Sequence, residues 1–135
     1  MYTVASSEGT FPVVVFFPGF ACTTPASAYS TVLSHIASWG YVVIGMTARV
    51  TCPDRHSILC TVSGPWALVY SPSATYRADW VDPVLAWARA HLAEHLASPA
   101  TVIDFDTMFL GAQSSGAHVA VNYLALKEDQ VMGDS

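Results

Sequence analysis

Three short apolar runs punctuate the chain, and the stretches beside them carry apolar residues at helical spacing. Pro12 to Phe17 (PVVVFF) is a continuous run of β-branched and aromatic residues, stopped by Pro18-Gly19. So short and so uniformly apolar a run predicts a strand buried on both faces, hence central in a parallel sheet. Thr24-Pro25 is a helix start, with Thr as N-cap and Pro at the first helical position. Tyr29, Val32, Leu33, Ile36 and Ala37 then recur at helical spacing, and Gly40 closes the segment. Tyr41 to Met46 (YVVIGM) predicts a second buried strand. Strand, helix and strand at this spacing imply a right-handed parallel crossover.

Residues 47–79 are rich in Thr, Ser, Pro and Gly with scattered aromatics. That is too long for an idle connection, and it reads as an excursion near a site or a poorly ordered region. Asp82-Pro83 repeats the cap-plus-proline signal ahead of a helix from Val84 to Leu96, whose inner stripe is Leu85, Ala88, Leu92 and Leu96. Ser98-Pro99 ends it, and Asp104 and Asp106 mark a polar turn. A third strand, Thr107 to Gln113, leads into a last helix, Ser115 to Leu126. Residues 1–10 and 127–135 read as polar and irregular. The order β-α-β-loop-α-β-α predicts a three-layer α/β arrangement in one domain.

Composition narrows the choice. Of 135 residues, 53% are hydrophobic and 11% charged, against an average of about 25% charged. So few charges suggest that part of the exposed surface is meant to be covered. The net charge of −5 and the lack of a basic cluster argue against nucleic acid. No apolar run approaches the ~20 residues of a membrane span, and the start, MYTVASSEGT, shows no signal peptide. Of three cysteines, Cys52 and Cys60 bracket a loop and are candidates for a disulfide, while Cys22 reads as a free thiol. The compartment stays open.

The chemistry concentrates in Met108 to His118, MFLGAQSSGAH. An apolar run passes into small residues, then into the helix-compatible Ala117-His118-Val119-Ala120-Val121. Strand, sharp turn with a serine, helix is the layout of a nucleophile elbow. Ser114 has Ala112 two residues before it and Gly116 two residues after. Small neighbours are needed there, because a serine at the tip of a tight turn leaves no room for bulk where strand meets helix. The other reading of the same string is a plain turn into a buried helix.

With those residues in view, the chain resembles an α/β-hydrolase of the branch that holds chlorophyllases, cutinase-like polyester hydrolases and dienelactone-hydrolase relatives. The matching stretches are FPVVVFFPGF (11–20), YSTVLSHIASWGYVVIGM (29–46) and FDTMFLGAQSSGAHVA (105–120), about half the chain, in the family's order. The resemblance implies a serine esterase without cofactor or metal, acting on a small-molecule or polymeric ester. It implies that strand 12–17 lies between strands 41–46 and 107–113. It makes Ser114 the nucleophile and the backbone N–H groups of Phe20 and Ser115 the oxyanion hole, two fixed donors where charge grows on the substrate oxygen. Pro18-Gly19 leans toward the polyester-degrading members. The family's order is serine, acid, histidine. Only 21 residues follow Ser114, with His118 the sole histidine among them. The expectation is the N-terminal portion of such a hydrolase, over residues 1–135, with the acid and histidine elsewhere.

Other histidines weigh less. His118 lies one turn into the helix behind Ser114, where the family resemblance gives it a packing role. His35 reads as half-buried on the first helix, and His56 as a solvated turn beside Asp54 and Arg55. His91-Leu92-Ala93-Glu94-His95 matches the H-x-x-E-H pattern of inverted zinc peptidases. Against that reading, His91 and Glu94 lie off the apolar stripe. A different class remains open: an inactive hydrolase fragment acting as a binding module, self-associating through the open edge of strand 107–113.

Overall fold

The computed structural model describes residues 2–3, 8–19, 22, 24–47 and 78–133. His56 and the Cys52–Cys60 pairing lie outside the described residues. The strands are β1 (Tyr2–Thr3), β2 (Gly9–Phe17), β3 (Val42–Gly45) and β4 (Thr101–Ala112). The helices are α1 (Ser30–Ser38), α2 (Val81–His91) and α3 (Gly116–Gly133). The strands form one sheet in the order β1-β3-β2-β4. β2 pairs in parallel with β3 on one side and β4 on the other, so the PVVVFF run is central as expected. β1 adds an antiparallel edge on β3 that the polar N-terminus did not signal.

Alternation along β2 distributes the core over both faces of the sheet. Val13, Val15 and Phe17 join Val42 and Ile44 beneath Val81, Leu85, Ala88 and Leu92 of α2 with its following turn, and Val119, Ala120 and Tyr123 of α3. Val14 and Phe16 join Val43 beneath Ala26, Leu33 and Ala37 on the α1 side. Helices on both faces of a parallel sheet make the three-layer α/β fold.

Helix boundaries move for identifiable reasons. Thr24 is not the cap of α1. A 3₁₀ turn, Ala26–Tyr29, precedes the helix, and Pro25 stands at its head in extended conformation. The N–H of Ala26 donates to Thr47 Oγ1 at 3.2 Å, so the cap comes from the segment just after β3 rather than from the neighbouring residue. Of the predicted stripe, Leu33 and Ala37 are buried and Val32 is exposed. Gly40, with φ 90°, turns the chain out of α1, and its N–H bonds Ala37 O. α2 begins at Val81, not Val84. Pro83 fits inside the first turn because N–H groups there have no partner one turn back. α3 runs through the supposed polar tail to Gly133, since Lys127, Glu128 and Gln130 are good helix formers.

β4 also starts earlier, at Thr101 rather than Thr107. The expected polar turn is a bulge inside it. The register passes from Pro12↔Asp104 to Val13↔Met108, leaving residues 105–107 outside the ladder. Pro12 has no N–H to continue the ladder there. The Asp104 carboxylate accepts from the N–H groups of Asp106 and Thr107, at 3.0 and 3.2 Å. Arg89 of α2 braces the bulge, donating to Phe105 O at 3.1 Å with its guanidinium 4.8 Å from the Phe105 ring.

Candidate active site

β2 and β4 are parallel neighbours, and the helices that follow them, α1 and α3, cover opposite faces of the sheet. The carboxyl ends of such a pair bound a crevice, the usual ligand site of open α/β sheets. Both singled-out turns lie there: Pro18-Gly19 after β2, and Gln113 to Ser115 after β4.

The turn at Ser114 is built by the last ladder bond and the first helical bonds. Gln113 N–H donates to Phe17 O at 3.0 Å, holding β4 to β2 up to the turn. Gly116, Ala117 and His118 then donate to the carbonyls of Gln113, Ser114 and Ser115, at 3.0, 3.0 and 3.2 Å. The chain must reverse from strand to helix within these residues. Ser114 takes the bend with φ 53°, in the left-handed region that a side-chain-bearing residue enters at a cost of about 1–2 kcal/mol. Its side chain is exposed, while Ser115 is half-buried. Gly116 is buried against the end of β2, where a Cβ would overlap backbone carbonyl oxygens. The expected need for a minimal residue two positions after the serine therefore has a definite steric cause.

On the other side, Pro18 and Gly19 follow β2, and Cys22 also has positive φ, 67°. Cys22 N–H bonds Pro18 O at 3.1 Å and Thr24 N–H bonds Gly19 O at 3.4 Å. Cys22 is a buried free thiol, as read from the sequence, and its burial pushes the thiol pKa up to about 12. Phe20, the other expected oxyanion donor, lies outside the described residues.

The pattern of apolar positions counted Tyr29 only as part of a helical stripe. In the structure its ring packs against Phe16, centroids 5.1 Å apart, and its hydroxyl reaches the site. Gly19 N–H donates to Tyr29 Oη at 3.1 Å, and that hydroxyl donates to Gln113 Oε1 at 2.9 Å. No signal in the sequence marks that hydroxyl, because Gln113 is 84 residues away.

The described histidines lie apart from these turns or at their margin. His118 is exposed on the first turn of α3, so it is not a core-packing residue. His35 is exposed rather than half-buried, and accepts a hydrogen bond from the Trp39 indole at 3.3 Å. His91 and His95 both pack on the Trp87 ring, at 5.4 and 6.1 Å between centroids. Among the described residues there is no group of three or more His, Cys, Asp or Glu able to hold a metal ion, and no helix is long and apolar enough to cross a membrane.

Comparison with known proteins bears on this geometry. The family model described as Chlorophyllase matches residues 1–132. The chain is similar to Chlorophyllase-1 of Arabidopsis thaliana, 30% identical over 114 residues, covering 84% of this chain and 29% of that relative. The chain thus spans under a third of the length of the curated relative it matches. No solved structure matches it.

Proposed function

The chain belongs to the chlorophyllase family, and from that premise we propose that it carries the nucleophile half of a serine carboxylic-ester hydrolase. Ser114 is the nucleophile in this reading, and the backbone N–H groups of Phe20 and Ser115 form the oxyanion hole. The observation that carries it is the φ of 53° at Ser114, on a turn between a parallel strand and a helix at the crevice beside β2. Strain of this kind concentrates where function requires a side chain to be held in one place. Glycine would adopt that backbone without the strain.

In the proposed reaction the Ser114 hydroxyl attacks the ester carbonyl carbon. Its proton passes to a histidine, the alcohol leaves, and water then hydrolyses the acyl-serine. The acid and histidine are assigned to a part of the protein beyond residues 1–135, in the order serine, acid, histidine. Residues 1–135 would then be the N-terminal part of one hydrolase domain. A fluorophosphonate probe applied to the complete gene product should label Ser114, and Ser114→Ala should abolish both label and hydrolysis of p-nitrophenyl butyrate. Label persisting in that variant would move the nucleophile elsewhere.

A second reading has its own observation. Among the described residues β4 pairs only with β2, and it ends the sheet. It is 12 residues long, with Val102 56% and Phe109 51% exposed. Such an edge is a template for strand pairing. In this reading the 135-residue chain is catalytically inactive and associates with a second copy along β4. Light scattering coupled to size exclusion tests it: a monomer at micromolar concentration excludes the pairing.

A further inference from the structure

The Tyr29 hydroxyl has one proton and two lone pairs, and two partners hold it between the two turns of the site. It receives the Gly19 N–H and gives its own proton to the Gln113 side chain. The ring is set by its packing on Phe16 of β2, so the hydroxyl has a fixed position rather than a mobile one. The ladder between β2 and β4 reaches Gln113 N–H on Phe17 O. Tyr29 carries the cross-link further, to the residue after Pro18 on one side and the residue before Ser114 on the other. Gly19 suits this arrangement sterically. A Cβ there would overlap Gln113 Oε1 and stand 3.1 Å from Tyr29 Oη.

We propose that Tyr29 is a positioning residue for ester hydrolysis, its hydroxyl fixing the distance and tilt between the turn that follows β2 and the elbow that carries Ser114. The proposal rests on the reading of Ser114 as nucleophile. In this role Tyr29 acts through Gly19 and Gln113. Misplacement of a reacting pair by about 1 Å can cost a hundredfold in rate. Loss of one of several supports should cost less and should fall on kcat, because the elbow matters most in the transition state.

The test uses the complete gene product and p-nitrophenyl butyrate, with Tyr29→Phe, Gln113→Leu, the double variant and Ser114→Ala. Tyr29→Phe removes the hydroxyl and keeps the ring on Phe16. The expected result is a kcat lower by about tenfold with KM within about twofold, a melting temperature within a few degrees of the parent's, and faster hydrogen exchange at the Gly19 amide. The double variant should be no slower than the slower single variant, because Tyr29→Phe already breaks the bond that Gln113→Leu removes. Ser114-dependent turnover that Tyr29→Phe leaves unchanged, or losses that multiply in the double variant, would overturn the role of Tyr29 alone. A large drop in melting temperature would make Tyr29 a stability residue and also overturn it. Absence of any Ser114-dependent turnover in the parent would instead overturn the nucleophile reading, and Tyr29's role with it.

Discussion

Gly116 lies against Phe17 with no space for a side chain. A methyl group at position 116 would overlap the carbonyl oxygens of Phe17 and Pro18 and sit 2.8 Å from the Phe17 carbonyl carbon. These are backbone atoms at the end of the central strand, so relief requires α3 or β2 itself to move. Gly116→Ala should therefore destabilise the protein by about 1–3 kcal/mol, the usual range for overpacking. This is expected although alanine is the better helix former by about 1 kcal/mol. Urea unfolding measures it, and a neutral or stabilising result would contradict the close approach of α3 to β2.

Asp82 ties α2 to α3 by accepting from Tyr123 Oη at 2.8 Å and pairing with Lys127. Partial burial alone would raise its pKa. The hydrogen bonds from Lys127 and Tyr123, with the Lys127 charge, outweigh burial and hold the carboxyl below the usual aspartate range. A pKa lowered in the folded state stabilises above the unfolded value and loses that contribution as pH falls through the folded value. The Asp82 side chain is 47% exposed, so solvent screening keeps the effect to no more than about 1 kcal/mol. Asp82→Asn should cost that amount at pH 7 and less at pH 2, because the contribution is lost as pH falls through the lowered folded-state pKa. Urea midpoints at the two pH values check it, and an equal loss at both would assign the effect to packing.

How far the sequence could be read depended on where the deciding contact lay. The PVVVFF run identified the central strand, because burial on both faces leaves no polar position in the pattern. The tight strand-to-helix turn at Ser114 was readable because its needs are local: small residues beside one serine. The cap of the first helix was misplaced because Ala26 N–H finds Thr47, 21 residues away, instead of Thr24. Asp104 read as an end of structure because an Asx-type turn within a bulge uses the residues of a loop. Tyr29 was invisible as a site residue for the same reason as Thr47: its partner Gln113 is 84 residues distant. Local signals report local constraints, and no pattern of apolar positions encodes a hydroxyl's distant partner.

Cys22 should be inert in the folded protein. Its burial raises the thiol pKa to about 12, so almost no thiolate, the reactive form, exists at neutral pH. Iodoacetamide at pH 7.5 followed by peptide mapping should leave Cys22 unmodified and alkylate it fully after unfolding. Rapid native modification at Cys22 would show that the loop after Gly19 opens readily.

The strain at Ser114 can be separated from its chemistry by comparing two substitutions that both delete the hydroxyl. Ser114→Ala keeps a Cβ, so the left-handed backbone at φ 53° remains unfavourable and stability should stay close to the parent's. Ser114→Gly removes the Cβ and with it a strain of about 1–2 kcal/mol. Glycine also adds freedom to the unfolded chain, which takes back about 0.4–1 kcal/mol. The glycine variant should therefore be the more stable of the two by up to about 1 kcal/mol, with neither hydrolysing p-nitrophenyl butyrate in the complete gene product. That ordering would mean the parent tolerates a less stable residue at the turn where the hydroxyl is needed, the usual conflict between stability and activity at a strained site. Denaturant midpoints of the two variants, measured side by side, decide it. If Ser114→Gly is no more stable than Ser114→Ala, the turn holds no strain worth relieving. The backbone observation that carries the nucleophile reading would then lose its force.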